Sequence, residues 1–262
     1  MAKGRTMMLW TLGGSFSVIV KVIGSGSSGN GYALISGEDI LLLECGVPAK
    51  EMLKAIDYRT SMVNGCILSH IHGDHAGYIK QYMQYGINVY TSDEVQSDIE
   101  TIMGEQTIGL QRMKRKNLLG CFSVIPFHVP HGETECDGWL IDTAEGRVLF
   151  ITDAEYCPYD FSKMNINYGL IECNYSEDYL SADDSSSKNY HVLTGHLELQ
   201  TCKRLIQSIN SNSLRSIGLI HLSAGNGNPQ RFRSEISELV DCDVDVWVAE
   251  KGNEKEFRLT PF

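Results

Sequence analysis

The segment Ser69-His70-Ile71-His72-Gly73-Asp74-His75 packs three imidazoles and a carboxylate into six residues. Imidazole and carboxylate are good ligands for first-row metals. The run Gly65–Ser69 ahead of it reads as a buried strand. Past that strand the chain must turn, and Gly73 permits a tight loop. Alternate residues His70 and His72 then face one point, while Asp74 and His75 reach a neighbouring one. This spacing suits two metals side by side better than one. At this chain's own His and Asp frequencies, H-x-H-x-D-H arises by chance in about one such chain per few thousand. A polar loop with clustered histidines is therefore the poorer reading.

Further ligand types end or follow apolar runs. They are His131 in Val129-Pro130-His131-Gly132, Asp153 in Phe150-Ile151-Thr152-Asp153, and His221 in Leu219-Ile220-His221-Leu222-Ser223. One such His alone would read as a satisfied structural residue. Three strand-end groups beside the loop motif read as a site.

Together these residues resemble the metallo-β-lactamase family, an α/β architecture built as a four-layer αββα sandwich with metals at one edge of its paired sheets. The resemblance covers essentially residues 16 to 250. It implies that His70, His72 and His131 hold one metal, and that Asp74, His75 and His221 hold a second. Asp153 would lie between them. The implied cofactors are two divalent metal ions, Zn first, with Mn or Fe accepted by the same donors. Finer motifs resemble the WalJ/YycJ branch, which is linked with 5′-to-3′ exonuclease activity on DNA. These are Gly24-Ser25-Gly26-Ser27-Ser28-Gly29-Asn30, Ile67-Leu68-Ser69-His70, Gly195-His196-Leu197, and His221-Leu222-Ser223 with Asn226. The family commonly has an Asp after the third strand, ahead of a Gly. This chain has Glu44-Cys45-Gly46, a longer acid still able to orient a metal ligand.

His196 invites a second comparison, with the tRNA 3′-processing endonuclease branch of the same fold. There a non-ligand His and a Glu assist proton transfer, which implies His196 and Glu172 as a catalytic pair here. The plainer reading of His196 is a helix-terminal residue. Asp74 is the candidate to receive the nucleophile's proton. His128 and His191 lack such context and read as surface or structural residues. Asp184 and its neighbours read as a solvated acidic loop.

Two metals suit hydrolysis, because they activate water and stabilise developing negative charge. That chemistry serves phosphodiesters, esters, lactams and thioesters alike, so the ligands do not choose the substrate. The resemblance implies a phosphodiester in DNA. The alternatives are a small-molecule ester, thioester or cyclic phosphodiester, and a metal-binding regulator without turnover. A fourth reading comes from the glycine loop. Gly24-Ser25-Gly26-Ser27-Ser28-Gly29 matches the G-x-G-x-x-G dinucleotide fingerprint, with Glu44 downstream, and would make the chain an NAD-dependent oxidoreductase. That fingerprint needs a helix starting at its third glycine. The short stretch before the next strand contains Gly31, Gly37 and a turn at 36–39, so a crossover helix does not fit. The loop is expected on the substrate side of the metal site.

Composition bounds the rest. The chain has 262 residues, 42% hydrophobic and 21% charged, with 22 Lys and Arg against 33 Asp and Glu. That is enough apolar chain for a sizeable core and excludes disorder for most of it. The net charge of −11 argues against coating nucleic acid electrostatically. Contact with DNA would have to be narrow, and the run Arg112, Lys114, Arg115, Lys116 is its candidate. A solvated helix-end cluster is the plainer reading of that run. No stretch approaches a membrane span. Met7 to Val20 superficially resembles a signal peptide, but Gly13, Gly14, Ser15 and Ser17 dilute it and no A-x-A-like site follows. Eight cysteines without a C-x-x-C pair read as free thiols in a reducing cytoplasm. Residues 1–15 are expected to be an N-terminal extension, and 16–262 one domain.

Strands are expected at 16–23, 32–35, 40–43, 65–69, 88–90, 122–126, 138–142, 147–152, 168–172, 216–221 and 244–248. Helices are expected at 49–56, 79–85, 92–103, 196–209 and 231–239, with Ser92 as an N-cap. Ser181 to Lys188 is expected to be a mobile loop.

Overall fold

Every residue of Gly31–Ser36 is buried, on both faces of the strand it forms. Side chains alternate across a strand, so such a strand must be covered on both sides. Tyr32 and Leu34 enter one apolar cluster, while Ala33 and Ile35 enter another. The same division recurs along the chain and produces the layers.

The computed structural model describes residues 17–180 and 193–259. Its first sheet contains β1 (Val18–Gly24), β2 (Gly31–Ser36), β3 (Asp39–Leu43), β4 (Val63–Ile67), β5 (Val89–Ser92) and β6 (Ile108–Leu110). The second contains β7 (Lys116–Asn117), β8 (Ser123–His128), β9 (Asp137–Thr143), β10 (Gly146–Ile151), β11 (Tyr168–Glu172), β12 (Ser216–Ile220) and β13 (Asp245–Val248). A last strand, β14 (Glu254–Phe257), returns to pair antiparallel with β1 and closes the first sheet's edge. The orders are β14-β1-β2-β3-β4-β5-β6 and β13-β12-β11-β10-β9-β8-β7.

Between the sheets lie Val20, Leu34, Leu41, Trp139, Phe150 and Leu170, among others. The outer face of the first sheet is covered by α1 (Ala49–Ala55), α3 (Ile79–Gln84) and α4 (Asp93–Asp98), through Met52, Ile79 and Val95. A one-turn helix α2 (Gly73–Ala76) lies before α3. The outer face of the second sheet is covered by α5 (Leu199–Ile209) and α6 (Pro229–Ser237), through Leu199, Cys202, Ile206 and Phe232. The expected αββα layering is thus observed. Phe150 is fully buried between the sheets and meets Tyr32 edge to face at 5.9 Å. Phe150→Ala should cost about 3–5 kcal/mol, read as a lower urea midpoint at unchanged slope.

The strands β3 to β6 run parallel, as do β10 to β13. Residues at the carboxyl ends of such strands collect at one edge, where α/β sheets place their ligands. Most expected elements appear within a few residues, and Ser92 caps α4 by accepting a hydrogen bond from the Val95 N–H. Three expectations need correction. The helix after Gly195 starts at Leu199, because the Glu198 carboxylate caps it by accepting from the Gln200 and Thr201 N–H groups. The helix from Ser92 changes to a π-turn over Ile99–Met103, closed by Gly104 in the left-handed conformation. The basic run is no helix end: it bridges β6 and β7, and Arg112 pairs with buried Asp137 at 2.7 Å and with Glu135 at 2.8 Å. As expected, the glycine loop turns β1 back antiparallel into β2, and no helix starts at Gly29 as the dinucleotide fingerprint requires. Residues 1–16, His191, Asp184 and the 181–188 loop lie outside the described residues.

Candidate metal centre

Each expected ligand stands just past a strand. Ser69 and His70 follow β4, and the turn then enters α2, which carries Asp74 and His75. His131 follows β8, Asp153 follows β10, and His221 follows β12. Glu172 is the last residue of β11, and Glu44 directly follows β3. Glu44, Asp153 and His221 all take positive φ, at 67°, 47° and 51°. Non-glycine residues seldom do so, and such strain concentrates at functional sites.

The seven expected ligands converge. One set comprises His70, His72, His131 and Asp153, and a second comprises Asp74, His75, Asp153 and His221. Within each set the donor atoms lie within 4.8 Å of one another, and Asp153 belongs to both. In the first set, His131 Nδ1–H donates to the Gly195 carbonyl at 2.6 Å, which leaves Nε2 with a lone pair. His70 Nδ1 meets Ser69 Oγ at 2.9 Å, and Ser69 Oγ donates onward to Glu44 Oε2 at 3.1 Å. Both Nε2 atoms lie 3.0 Å from His72 Nδ1, whose other nitrogen meets Thr134 Oγ1 at 3.3 Å. Burial holds the His70 ring well below its usual pKa and brings His131 down to about 4. Neutral rings with converging lone pairs are the form that ligates a cation.

In the second set, His75 Nδ1 contacts Glu44 Oε2 at 3.1 Å, while its Nε2 lies 3.3 Å from Asp153 Oδ2 and 3.4 Å from Asp74 Oδ2. His221 Nδ1 lies 2.6 Å from Asp153 Oδ1. Among the described residues, His221 Nε2 is buried without a hydrogen bond and faces Asp74 Oδ2 at 3.4 Å. Burial lowers both rings, but Asp153 and its neighbouring carboxylates outweigh it and hold them well above the usual value. Burial likewise raises Asp74, and contacts with His221 and His75 more than reverse this. Glu44, Asp153 and Glu172 are almost wholly buried here, and Asp74 is close by. So many carboxylates in one interior need compensating positive charge. The donor set therefore fits metal cations.

Glu172 joins this cluster to the expected proton donor. Its Oε1 accepts from His196 Nδ1 at 2.8 Å and from His221 Nδ1 at 3.0 Å. Its Oε2 accepts from the N–H groups of Ala154 and Leu197, at 3.0 and 3.1 Å. Burial lowers the His196 ring, but Glu172 more than offsets it, leaving its pKa above the usual value.

Glu44 performs the orienting task expected of a shorter acid. Its Oε1 accepts the Ser69 N–H at 3.1 Å, and its Oε2 serves both Ser69 Oγ and His75. Glu44 itself takes the left-handed backbone conformation. Glu44→Gln places an amide against donors that need an acceptor. It should weaken metal binding by about 10–100-fold, measured by chelator competition. The supporting roles of Ser69 and Thr134, and that of Asn174, whose Nδ2 donates to the His221 carbonyl at 2.8 Å, had no sequence signal beyond proximity to the motifs. His128 is partly exposed near Glu135, outside the cluster.

The chain is similar to several known proteins. A model of the family described as "Anti-Pycsar protein Apyc1" matches residues 22–96. The chain is 22% identical over 242 residues to Exodeoxyribonuclease WalJ of Streptococcus pneumoniae, covering 87% of this chain and 90% of that protein. Among solved structures it is similar to the metallo-beta-lactamase fold protein YhfI from Bacillus subtilis, with TM-score 0.71 and 22% identity over 92% of this chain and 99% of the other. It is also similar to the short form of human tRNase Z, with TM-score 0.64 and 14% identity over 91% and 99%.

Proposed function

We propose that this chain, which has the metallo-β-lactamase fold, is a dinuclear-metal hydrolase that cleaves phosphodiester bonds, with DNA ends as its substrate class. The observation that carries the reading is the pair of donor sets sharing Asp153, with His196 and Glu172 at the same cluster. The cations would be held by His70, His72 and His131 on one side, and by Asp74, His75 and His221 on the other. Zn fits this mixture of imidazole and carboxylate first, and Mn or Fe also suit it. When bound, such ions lower the pKa of water and stabilise charge on a phosphoryl group.

The chain's own residues supply the remainder. Asp74, partly exposed and held ionised, is placed to accept a proton from the attacking water. His196 gives its Nδ1 proton to the bond with Glu172, and its Nε2 proton serves the leaving oxygen. Likeness to WalJ supports DNA as the substrate class. The net charge of −11 and the pairing of Arg112 with Asp137 and Glu135 favour narrow contact at a strand end. Lys114 and Lys116 remain exposed as phosphate contacts. The same two observations favour the second reading, a small phosphodiester, ester or thioester. We place the catalytic unit in one domain, 16–262, with 1–15 as an extension. All eight cysteines are free, including Cys45 and Cys66 with sulfurs 3.5 Å apart, which supports a cytoplasmic location. Among the described residues no helix is long and apolar enough to cross a membrane.

Zn- and Mn-loaded protein offered end-labelled DNA, bis(p-nitrophenyl) phosphate, an ester, a thioester and a lactam should act on the two phosphodiesters. Intact DNA alongside ester or thioester turnover would select the small-molecule reading. Turnover of nothing would select a regulatory role.

A further inference from the structure

The loop between β1 and β2 contacts the centre unevenly. Its glycines allow backbone to meet backbone. A Cβ on Gly29 would overlap the Gly46 carbonyl oxygen, and one on Gly46 would overlap that of Asp74. Across this contact Asn30 N–H donates to the Asp74 carbonyl at 2.7 Å, and Gly46 N–H donates to the Asn30 carbonyl at 2.9 Å.

The side chains of the loop continue the pattern. Asn30 Oδ1 accepts the Gly26 N–H at 2.8 Å, which fixes the amide's orientation and turns Nδ2 toward the centre. Nδ2 donates toward the Asp74 carbonyl at 3.3 Å and Asp74 Oδ2 at 3.4 Å, which orients that carboxylate, and it lies 2.9 Å from His75 Nε2, a contact that a bound cation would replace. Ser25 Oγ accepts the His221 N–H at 3.0 Å and receives the Tyr32 hydroxyl at 2.9 Å. His221 is one of the residues at positive φ, so this bond secures a strained backbone. The first donor set is held otherwise: His70 by Ser69, His72 by Thr134 and His131 by Gly195.

We infer that Asn30 and Ser25 are positioning residues for the Asp74–His75–His221 half of the centre alone. The glycine loop thereby sets the occupancy of that half independently of the other. This rests on the two-cation reading proposed above. An outer partner that fixes a ligand lowers the entropy lost when the cation binds, so removing it weakens the one half it touches.

The test is Zn titration by calorimetry, with anomalous diffraction giving the occupancy of each position. Asn30→Ala and Ser25→Ala should each weaken one of two binding steps by about 10–100-fold. Occupancy should fall between Asp74, His75 and His221 and persist between His70, His72 and His131. Thr134→Val should produce the opposite split. Because Asn30→Ala also strips a buried backbone N–H of its acceptor, Ser25→Ala is the milder probe and Ser25→Thr should restore binding. Equal loss at both positions, or no loss at either in a folded variant, overturns the inference. Wild-type protein that binds fewer than two cations overturns the two-cation reading itself, and the inference with it.

Discussion

Asp153→Asn is expected to empty both halves of the centre at once. Asp153 lies in both donor sets, with Oδ2 at 3.6 Å from His70 Nε2, 3.3 Å from His75 Nε2 and 3.9 Å from His131 Nε2. Its other oxygen lies 2.6 Å from His221 Nδ1. Asparagine is chosen because Asp153 sits at φ 47°, a conformation that Asn tolerates better than most residues. The backbone is thus spared while the shared negative charge is lost. The loss in metal affinity should exceed the ~10–100-fold typical of an outer hydrogen-bond partner, and hydrolysis should fall with it. Elemental analysis after dialysis reads the stoichiometry. Undiminished content of two ions per chain would remove Asp153 from its shared position.

The centre was legible because metal chemistry restricts residue type. Only a few side chains ligate first-row metals, so His70, His72, Asp74 and His75 stand out in any sequence. His131, Asp153 and His221 follow because apolar runs announce strand ends. Parallel strands bury both faces, which makes runs such as Leu219-Ile220 easy to read. The supporting groups were hidden for the converse reason. Asn30, Ser25 and Thr134 belong to the commonest polar types, and their roles depend on which loops meet in space. The edge strand Glu254–Phe257 was hidden by its charges, which suit an exposed edge but mask the signal of a strand. His196 was misplaced onto a helix because Leu197 continues the apolar stripe of α5, although Glu198 caps that helix two residues later. Arg112 looked available to phosphate because its acids, Glu94, Glu135 and Asp137, are brought together only by folding.

His196→Ala should lower turnover of DNA by about 10²–10⁴-fold, the usual contribution of a general acid or base, while two metal ions stay bound. His196 is outside both sets assigned to the cations, and its carboxylate contacts include Glu172 at 2.8 Å and Asp153 at 4.0 Å. The leaving group decides how the loss appears. Cleavage of DNA expels an alkoxide, a poor leaving group that needs a proton as the bond breaks. Bis(p-nitrophenyl) phosphate expels a phenolate that is stable without one. If His196 delivers the proton, the variant should lose less than about tenfold on the nitrophenyl substrate. A merely structural His196 would depress both substrates alike. Glu172→Gln separates the two roles further. Glu172 Oε1 holds His221 as well as His196, so this variant should weaken metal binding and slow DNA cleavage together. Its nitrophenyl activity should recover when metal is raised, whereas its DNA activity should not, because the amide cannot hold His196 in the protonated state that carboxylate favours. Equal recovery on both substrates would reduce Glu172 to a support for His221 and leave His196 without its partner in proton delivery.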